Sequence, residues 1–347
     1  MTLLATGFAQ QGHEVYLVTL GPTGHDFFPV DPSVRRIGLD LLEDSASLFQ
    51  ALRANLKRMR MLRRLVQIVR PHTVISFMTS MNVLTLIACL GLPLRIVVSE
   101  RVDPESHRGS YSWSVLRALA YRRAYAIVVQ TEVAARWFRQ RFRGGVRVSV
   151  IPNPVVAAAV GQTQSQQELP QTPYLLGAGR LVHQKGFDLL IEAFALIAAQ
   201  RGQLRLAIAG EGPELQSLQE LATRLHVAQR VSFLGSIREL GAVMRNADVF
   251  VLSSRYEGFP NVLLEALASG VPVVATDCPG GPREILGDGA LGILVPSGQA
   301  SALAEAVMRV IGDVELRRRL STPRVARNYE LAAVIGVWET LLAGEPA

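Results

Sequence analysis

The residues able to do chemistry gather in three strings in the second half of the chain. The longest runs from Ser253 to Gly270 (SSRYEGFPNVLLEALASG). Glu257 and Glu265 stand eight positions apart, with Gly258, Phe259, Pro260 and Asn261 between them at the start of a helical pattern. Pro260 suits the first turn of a helix, where its missing N–H costs nothing, and Gly270 suits the helix end. A helix start points free N–H groups and a positive dipole end outward, so an anion such as a diphosphate can sit there. Carboxylates accept hydrogen bonds and cannot donate them, so the two glutamates suit a ligand rich in hydroxyls. A capped helix with two exposed glutamates is the plainer reading of either residue alone, but it does not account for the whole string.

The second string, Leu176 to Gly186 (LGAGRLVHQKG), follows a strand-like run and precedes a helical one. Gly179 lets backbone approach a ligand, and Arg180 and Lys185, five positions apart, are placed to hold phosphates. Lys185 is one of only two lysines in the chain, the other being Lys57, which argues that a compact point charge is wanted there. A tight strand-to-helix turn is the plainer reading of G-x-G-R by itself. The third string, Ala209 to Glu214 (AGEGPE), sets Gly210 and Gly212 at another such junction, where open α/β sheets bind ligands. The G-x-G-x-x-G fingerprint is absent from the second string, which argues against a nicotinamide-dependent dehydrogenase.

Positioning these turns requires strands, and short apolar runs supply them. Val15–Leu20, Thr73–Phe77, Arg95–Ser99, Ala126–Gln130 and Val148–Ile151 read as strands apolar on both faces, as in a buried parallel sheet. Helical patterns over Thr2–Gln11, Ser47–Arg70, Met81–Leu90 and Ser112–Arg123 alternate with them. The texture breaks at Ile151-Pro152-Asn153-Pro154, and residues 161–172 are polar and rich in Gln. Alternation then restarts with Tyr174–Gly177, Leu204–Ala209, Val231–Leu234, Val249–Ser253, Pro272–Thr276 and Gly292–Val295. The pattern predicts an α/β chain of two doubly wound, Rossmann-like domains, 1–152 and 153–325, and a closing helical segment over 326–347. At 347 residues the chain is long enough for two such cores.

Together the strings resemble the retaining glycosyltransferases of the GT-B fold, family 4 (group 1). The likeness rests on GAGRL…QKGFDLLIEAF, AGEGPE, VSFLG, the Glu257-to-Glu265 string, ASGVPVVATDCPGGPREIL and the closing GILVP, and in the first half on MTLLATGFAQQGHEVYLVTL and VVSERVDP. The resemblance implies two domains facing a cleft, an acceptor-binding first domain and a nucleotide-sugar-binding second one, with the closing helix packed back on the first. It also implies that Arg180 and Lys185 hold the donor diphosphate and stabilise the leaving nucleotide. Glu257 would lie near the donor sugar, the 258–261 backbone would contact sugar and phosphate, and Glu265 would bind the ribose hydroxyls. Gly179, Gly210 and Gly212 would line the donor site. Arg101 and Asp103, with His107 as a weaker third, would face acceptor or sugar. The partners implied are a nucleotide-diphosphate sugar, UDP-linked by expectation, and a glycan or polyprenyl-linked acceptor in envelope polysaccharide synthesis. No Asp-x-Asp pair and no metal-ligand spacing among the histidines is present, so no metal or other cofactor is expected.

One departure stands at the front. The family opens on a strand and a Gly-rich turn, whereas here the first ten residues already read as the following helix. The expectation is a missing first strand, and the rival function is a catalytically weak or inactive binding subunit with the same fold.

The formal charge of +7 divides unequally: residues 1–150 carry +10 and the remainder −3. Arg53, Lys57, Arg58, Arg60, Arg63 and Arg64 share one helical stretch with interleaved apolar residues. Such a helix is either a solvated arginine face or a surface for an anionic leaflet. No nucleic-acid recognition motif accompanies the charge. Two distant cysteines, Cys89 and Cys278, suit a reducing compartment. No run reaches the length of a spanning helix and no signal peptide is evident, so the expected location is cytoplasmic or peripheral on the inner face of the plasma membrane.

Overall fold

The computed structural model describes residues 1–24, 29–42, 47–102, 111–155, 171–237, 239–323 and 327–344. Two compact units emerge, one of Met1–Pro154 together with Leu331–Ala347, the other of Val155–Glu330.

In the first unit, helices α1 (Thr2–Gln10), α2 (Leu48–Val69), α3 (Thr79–Ala88), α4 (Tyr111–Ala120) and α5 (Glu132–Arg141) accompany six strands among the described residues. Strands β3 (Thr73–Phe77), β4 (Arg95–Ser99), β5 (Ala126–Val129) and β6 (Arg147–Val150) form a parallel sheet in that order. All four residues of β5 are buried, as expected of a strand with helices on both faces. β1 (Tyr16–Thr19) pairs in parallel with β2 (Arg35–Gly38). The sequence reading overlooks β2, because RRIG has no apolar run and pairs with a single neighbour.

The second unit carries one six-stranded parallel sheet. Its strands are β7 (Tyr174–Ala178), β8 (Arg205–Ala209), β9 (Val231–Gly235), β10 (Val249–Leu252), β11 (Val273–Asp277) and β12 (Ile293–Pro296), in spatial order β9-β8-β7-β10-β11-β12. Counted within the unit this is 3-2-1-4-5-6, the dinucleotide-binding order, which reverses direction between β7 and β10. Helices α6 (Phe187–Ala198), α7 (Leu215–Arg224), α8 (Leu240–Asn246), α9 (Asn261–Ser269), α10 (Pro282–Ile285), α11 (Ala300–Gly312) and α12 (Val314–Leu320) cover it. Two buried apolar clusters form, one including Phe194, Leu206 and Val307, the other Leu176, Phe250 and Leu263.

The chain end divides between the two cores. A single helical segment is expected over 326–347, but the described residues show a short 3-10 turn at Arg327–Tyr329, a parallel bridge of Glu330 with Val155, and then α13 (Leu331–Ala343). Tyr329 packs on Phe259 in the second unit, ring centroids 6.2 Å apart. Trp338, fully buried, joins Leu4, Phe8, Val97 and Ile151 in the first.

Candidate functional site

The direction change of the second sheet brings two loops side by side. One leaves β7 and runs through Gly179, Arg180 and Lys185 into α6; the other leaves β10 and runs through Glu257 into α9. Because β7 and β10 are parallel neighbours, both loops emerge at the carboxyl ends of adjacent strands.

At their meeting point Lys185 Nζ donates to both carboxylate oxygens of Glu257, at 2.7 and 2.9 Å. Ser254 Oγ adds a third hydrogen bond to Oε1 at 2.5 Å. The Glu257 carboxylate is only 4% exposed and the lysine 15%. A charge this buried persists only when paired and hydrogen-bonded, and Glu257 is both. The reading of two solvent-exposed glutamates therefore fails for Glu257. Cys278 lies beside it, and burial, with the charge of Glu257, pushes that thiol up to about 12.

Arg180 differs from Lys185. Its side chain is exposed and makes no hydrogen bond or ion pair among the described residues, so its charge is available to a ligand. Glu265 is also exposed, yet surrounding protein atoms desolvate its carboxyl and hold it above the ordinary carboxylate value.

The glycines act through backbone contact. Gly210 has φ +142°, and a side chain there would overlap the carbonyl oxygen of Gly179, its Cβ falling 1.8 Å away. Gly179 N–H donates to Ala209 O at 2.9 Å, and Gly212 lies against Leu181 O. The AGEGPE turn therefore buttresses the GAGRL turn. Gly280, not singled out from sequence, does the same for Glu257: at φ +98° its absent Cβ would lie 1.6 Å from Glu257 O, while Pro279 O accepts from Glu257 N–H at 2.8 Å.

At the start of α9, Pro260 occupies the cap position and Asn261 is the first helical residue. The Asn261 N–H donates to Phe259 O, whereas the N–H groups of Gly258 and Phe259 make no hydrogen bond among the described residues. The Phe259 ring is buried against Tyr329, ring centroids 6.2 Å apart.

Sequence reasoning missed Arg255 and Asp188, which form a bidentate pair at 2.8 and 2.6 Å linking the two loops. A guanidinium and a carboxylate far apart in sequence carry no local signal.

In the first unit, Arg101 sits just past β4. Its guanidinium stacks over Phe77 at 4.7 Å, donates to Asn153 Oδ1, and is lowered to about 10 by burial. Asp103 and His107 lie outside the described residues. Glu100, beside Arg101 and buried, accepts from Thr79 Oγ1 at 2.9 Å and from the Tyr121 hydroxyl; burial, with that carboxylate's charge, raises the Tyr121 phenol well above its usual value. No group of three or more His, Cys, Asp or Glu that could hold a metal ion occurs among the described residues. Likewise no described helix is long and apolar enough to cross a membrane.

Comparison with known proteins is consistent along the chain. Residues 1–154 match the glycosyl transferase 4-like domain, and residues 162–323 match glycosyl transferases group 1. A GDP-mannose-dependent alpha-(1-6)-phosphatidylinositol monomannoside mannosyltransferase of Mycolicibacterium smegmatis is 31% identical over 71% of this chain and 69% of its own length. A Campylobacter jejuni alpha-1,4-N-acetyl-D-galactosaminyltransferase acting on a diphospho-undecaprenol-linked glycan is 24% identical over 95% of this chain and 90% of its own. Among solved structures, Anabaena HepE in complex with UDP and glucose superposes with a TM-score of 0.75 at 17% identity, covering 99% of this chain and 95% of that one.

Proposed function

The chain belongs to the family 4 (group 1) glycosyltransferases of the GT-B fold, and we propose that it is a retaining, metal-independent enzyme moving a sugar from a nucleotide-diphosphate donor to a lipid-linked or polysaccharide acceptor in cell-envelope synthesis. The observation that carries this reading is the Lys185–Glu257 pair beside the exposed Arg180, at the reversal point of a 3-2-1-4-5-6 sheet. Breaking the bond between the sugar C1 and the diphosphate puts negative charge on the departing oxygen. Arg180 and Lys185 would supply positive charge, and the N–H groups of Gly258 and Phe259 hydrogen-bond donors, to that developing charge, which is where electrostatics contribute most to catalysis. The acceptor oxygen bonds to C1, and its proton passes to the departing phosphate oxygen. Neither protein nucleophile nor metal ion is required. Glu257 would orient the donor sugar and Glu265 the ribose.

For the donor we favour a UDP-sugar, the nucleotide held by the Anabaena fold neighbour, with GDP-mannose, used by the mycobacterial relative, as the competitor. An acceptor on a lipid carrier suits the undecaprenol and phosphatidylinositol acceptors named for the two relatives. Helix α2 supports work at a membrane face. Arg53, Lys57, Arg60 and Arg64 are exposed along one stripe, flanked by exposed Phe49, Leu52 and Leu56 on one side and Met61 and Ile68 on the other. Arg58 and Arg63 instead donate to the carbonyls of Leu41, Ala88 and Leu90, so they belong to the packing.

The test is a panel of UDP- and GDP-sugars, with undecaprenyl-diphosphate glycans as acceptors, read by product mass and anomeric configuration. Transfer with retention, abolished by Lys185→Ala, is expected. Absence of binding to every donor overturns the proposal.

A further inference from the structure

Three cations surround the site, and the structure uses them differently. Arg180 is exposed and unengaged among the described residues, Lys185 is held by Glu257, and Arg255 is engaged by protein groups. Arg255 Nη1 donates to His183 O at 2.9 Å and to Asp188 Oδ1 at 2.8 Å, and Nη2 donates to Asp188 Oδ2 at 2.6 Å. Its backbone N–H donates to Gln184 O at 2.8 Å. Around this pair Gln184 Nε2 donates to Tyr256 O at 2.9 Å, and Ser253 Oγ donates to Lys185 O at 3.0 Å. Every one of these bonds joins the 183–188 turn to the 253–256 turn. None touches the carboxylate of Glu257 or the amine of Lys185. What they determine is where those two groups stand relative to each other.

We infer that Asp188 and Arg255 are positioning residues for donor binding: their ion pair locks the two loops together so that Lys185 is presented to the donor diphosphate and Glu257 to the sugar. This rests on the proposed reading of Lys185 and Glu257 as donor contacts. Asp188 stands in the first turn of α6, where the helix dipole also favours its charge. The planar fork of Arg255 reads both carboxylate oxygens and a carbonyl at once, a geometry that an ammonium cannot reproduce. The pair is partly exposed, at 24% and 36% for the two side chains, so its bulk contribution to stability is screened while its geometric role is not.

The scarcity of lysine makes the test direct. Lys57, exposed on α2, serves as an internal reference for Lys185. The folded protein is acetylated briefly at 25 °C with a lysine-selective acylating reagent, and the two lysine-containing peptides are quantified by mass spectrometry. Relative to the unsubstituted chain, Arg255→Gln and the near-isosteric Asp188→Asn should each raise the Lys185-to-Lys57 ratio several-fold. Arg255→Lys, which keeps charge and loses the fork, should not restore protection. In parallel, UDP titration should show affinity weakened about tenfold to a hundredfold, the cost of misplacing a binding group by about 1 Å, with the donor KM rising and the acceptor KM unchanged. Thermal unfolding confirms that each variant is folded at the labelling temperature. An unchanged labelling ratio in both folded variants overturns the inference. Because labelling needs no ligand, a protein that shows the ratio change yet transfers no sugar would sink the proposed function and leave standing only the locking of the two loops by Asp188 and Arg255. A protein that transfers sugar with an unchanged ratio would do the reverse.

Discussion

The carboxyl ends of the two parallel sheets are built in opposite ways. In the second unit the site loops are stitched together by paired charges and by glycines whose backbones touch, and no buried side-chain nitrogen or oxygen among the described residues lacks a hydrogen-bond partner. In the first unit there are five such atoms: Asn82 Oδ1, Ser99 Oγ, Arg101 Nε, Gln130 Nε2 and Trp338 Nε1. Ser99, Arg101 and Gln130 stand at or just past the ends of β4 and β5. The surfaces contrast as well. Among the described residues, fifteen of the eighteen exposed large hydrophobic side chains belong to the first unit, and Leu196, Leu215 and Val314 to the second. A buried polar group without a partner costs about 1–3 kcal/mol, so it is seldom kept without use. Under the proposed function the difference is instructive. A donor half meets one invariant diphosphate and can be rigid and fully satisfied, whereas an acceptor half keeps unspent polar groups and apolar surface for a ligand that varies between relatives.

Four experiments probe this contrast. The largest effect is expected from Trp338→Ala, which removes the biggest fully buried side chain of the first unit's core at a cost of about 3–5 kcal/mol. Calorimetry should show a lowered transition with UDP affinity retained in the folded protein; loss of UDP affinity would mean that the two halves are not separable in this way. Next is Lys185→Met, expected to lower transfer by about 10²–10³-fold by removing one preorganised cation, read as kcat in a donor-saturated assay. A variant retaining normal turnover would remove the donor half's claim to its charges. Gly210→Ala follows. Forcing a side chain to φ +142° costs on the order of 1–3 kcal/mol before its overlap with Gly179 O is relieved, and a depressed melting temperature with weaker UDP binding should result.

The smallest effect concerns acid. Burial alone would push the Asp188 carboxyl up, but the hydrogen bonds and charge of Arg255, with two backbone N–H groups, outweigh it and hold the pKa below the ordinary 3.8. A depressed carboxylate stabilises above its unfolded-state value and loses that contribution as pH falls through the folded-state one. The melting difference between the unsubstituted protein and Asp188→Asn should therefore be constant from pH 7 to about pH 5 and shrink below about pH 4. A difference that instead grows in acid would show that the pair does not hold the loops.

Much of this molecule is legible from residue order. Hydrophobic runs such as Ala126–Val129 and Val249–Leu252 become buried parallel strands because nothing else can bury four consecutive apolar residues at a sheet centre. Glycine at 210 and the cation at 185 are legible because each residue type has few physical reasons to stand at a strand end. β2 escaped notice because its sequence is basic and its pairing is one-sided. The chain end escaped notice because Tyr329 and Trp338 look alike in a helical pattern, and only packing assigns one to each core.

Residue order alone accounts for the two α/β halves, the three glycine-bearing turns at strand ends and the uneven charge, all properties of local pattern. Tertiary structure alone decided that Lys185 meets Glu257, that Arg255 is consumed by Asp188 while Arg180 stays exposed, and that the glycines serve backbone contact between loops. The physical reason is range: propensity and periodicity act over a few residues, whereas an ion pair between residues 67 to 72 positions apart exists only once the sheet has set their strands side by side.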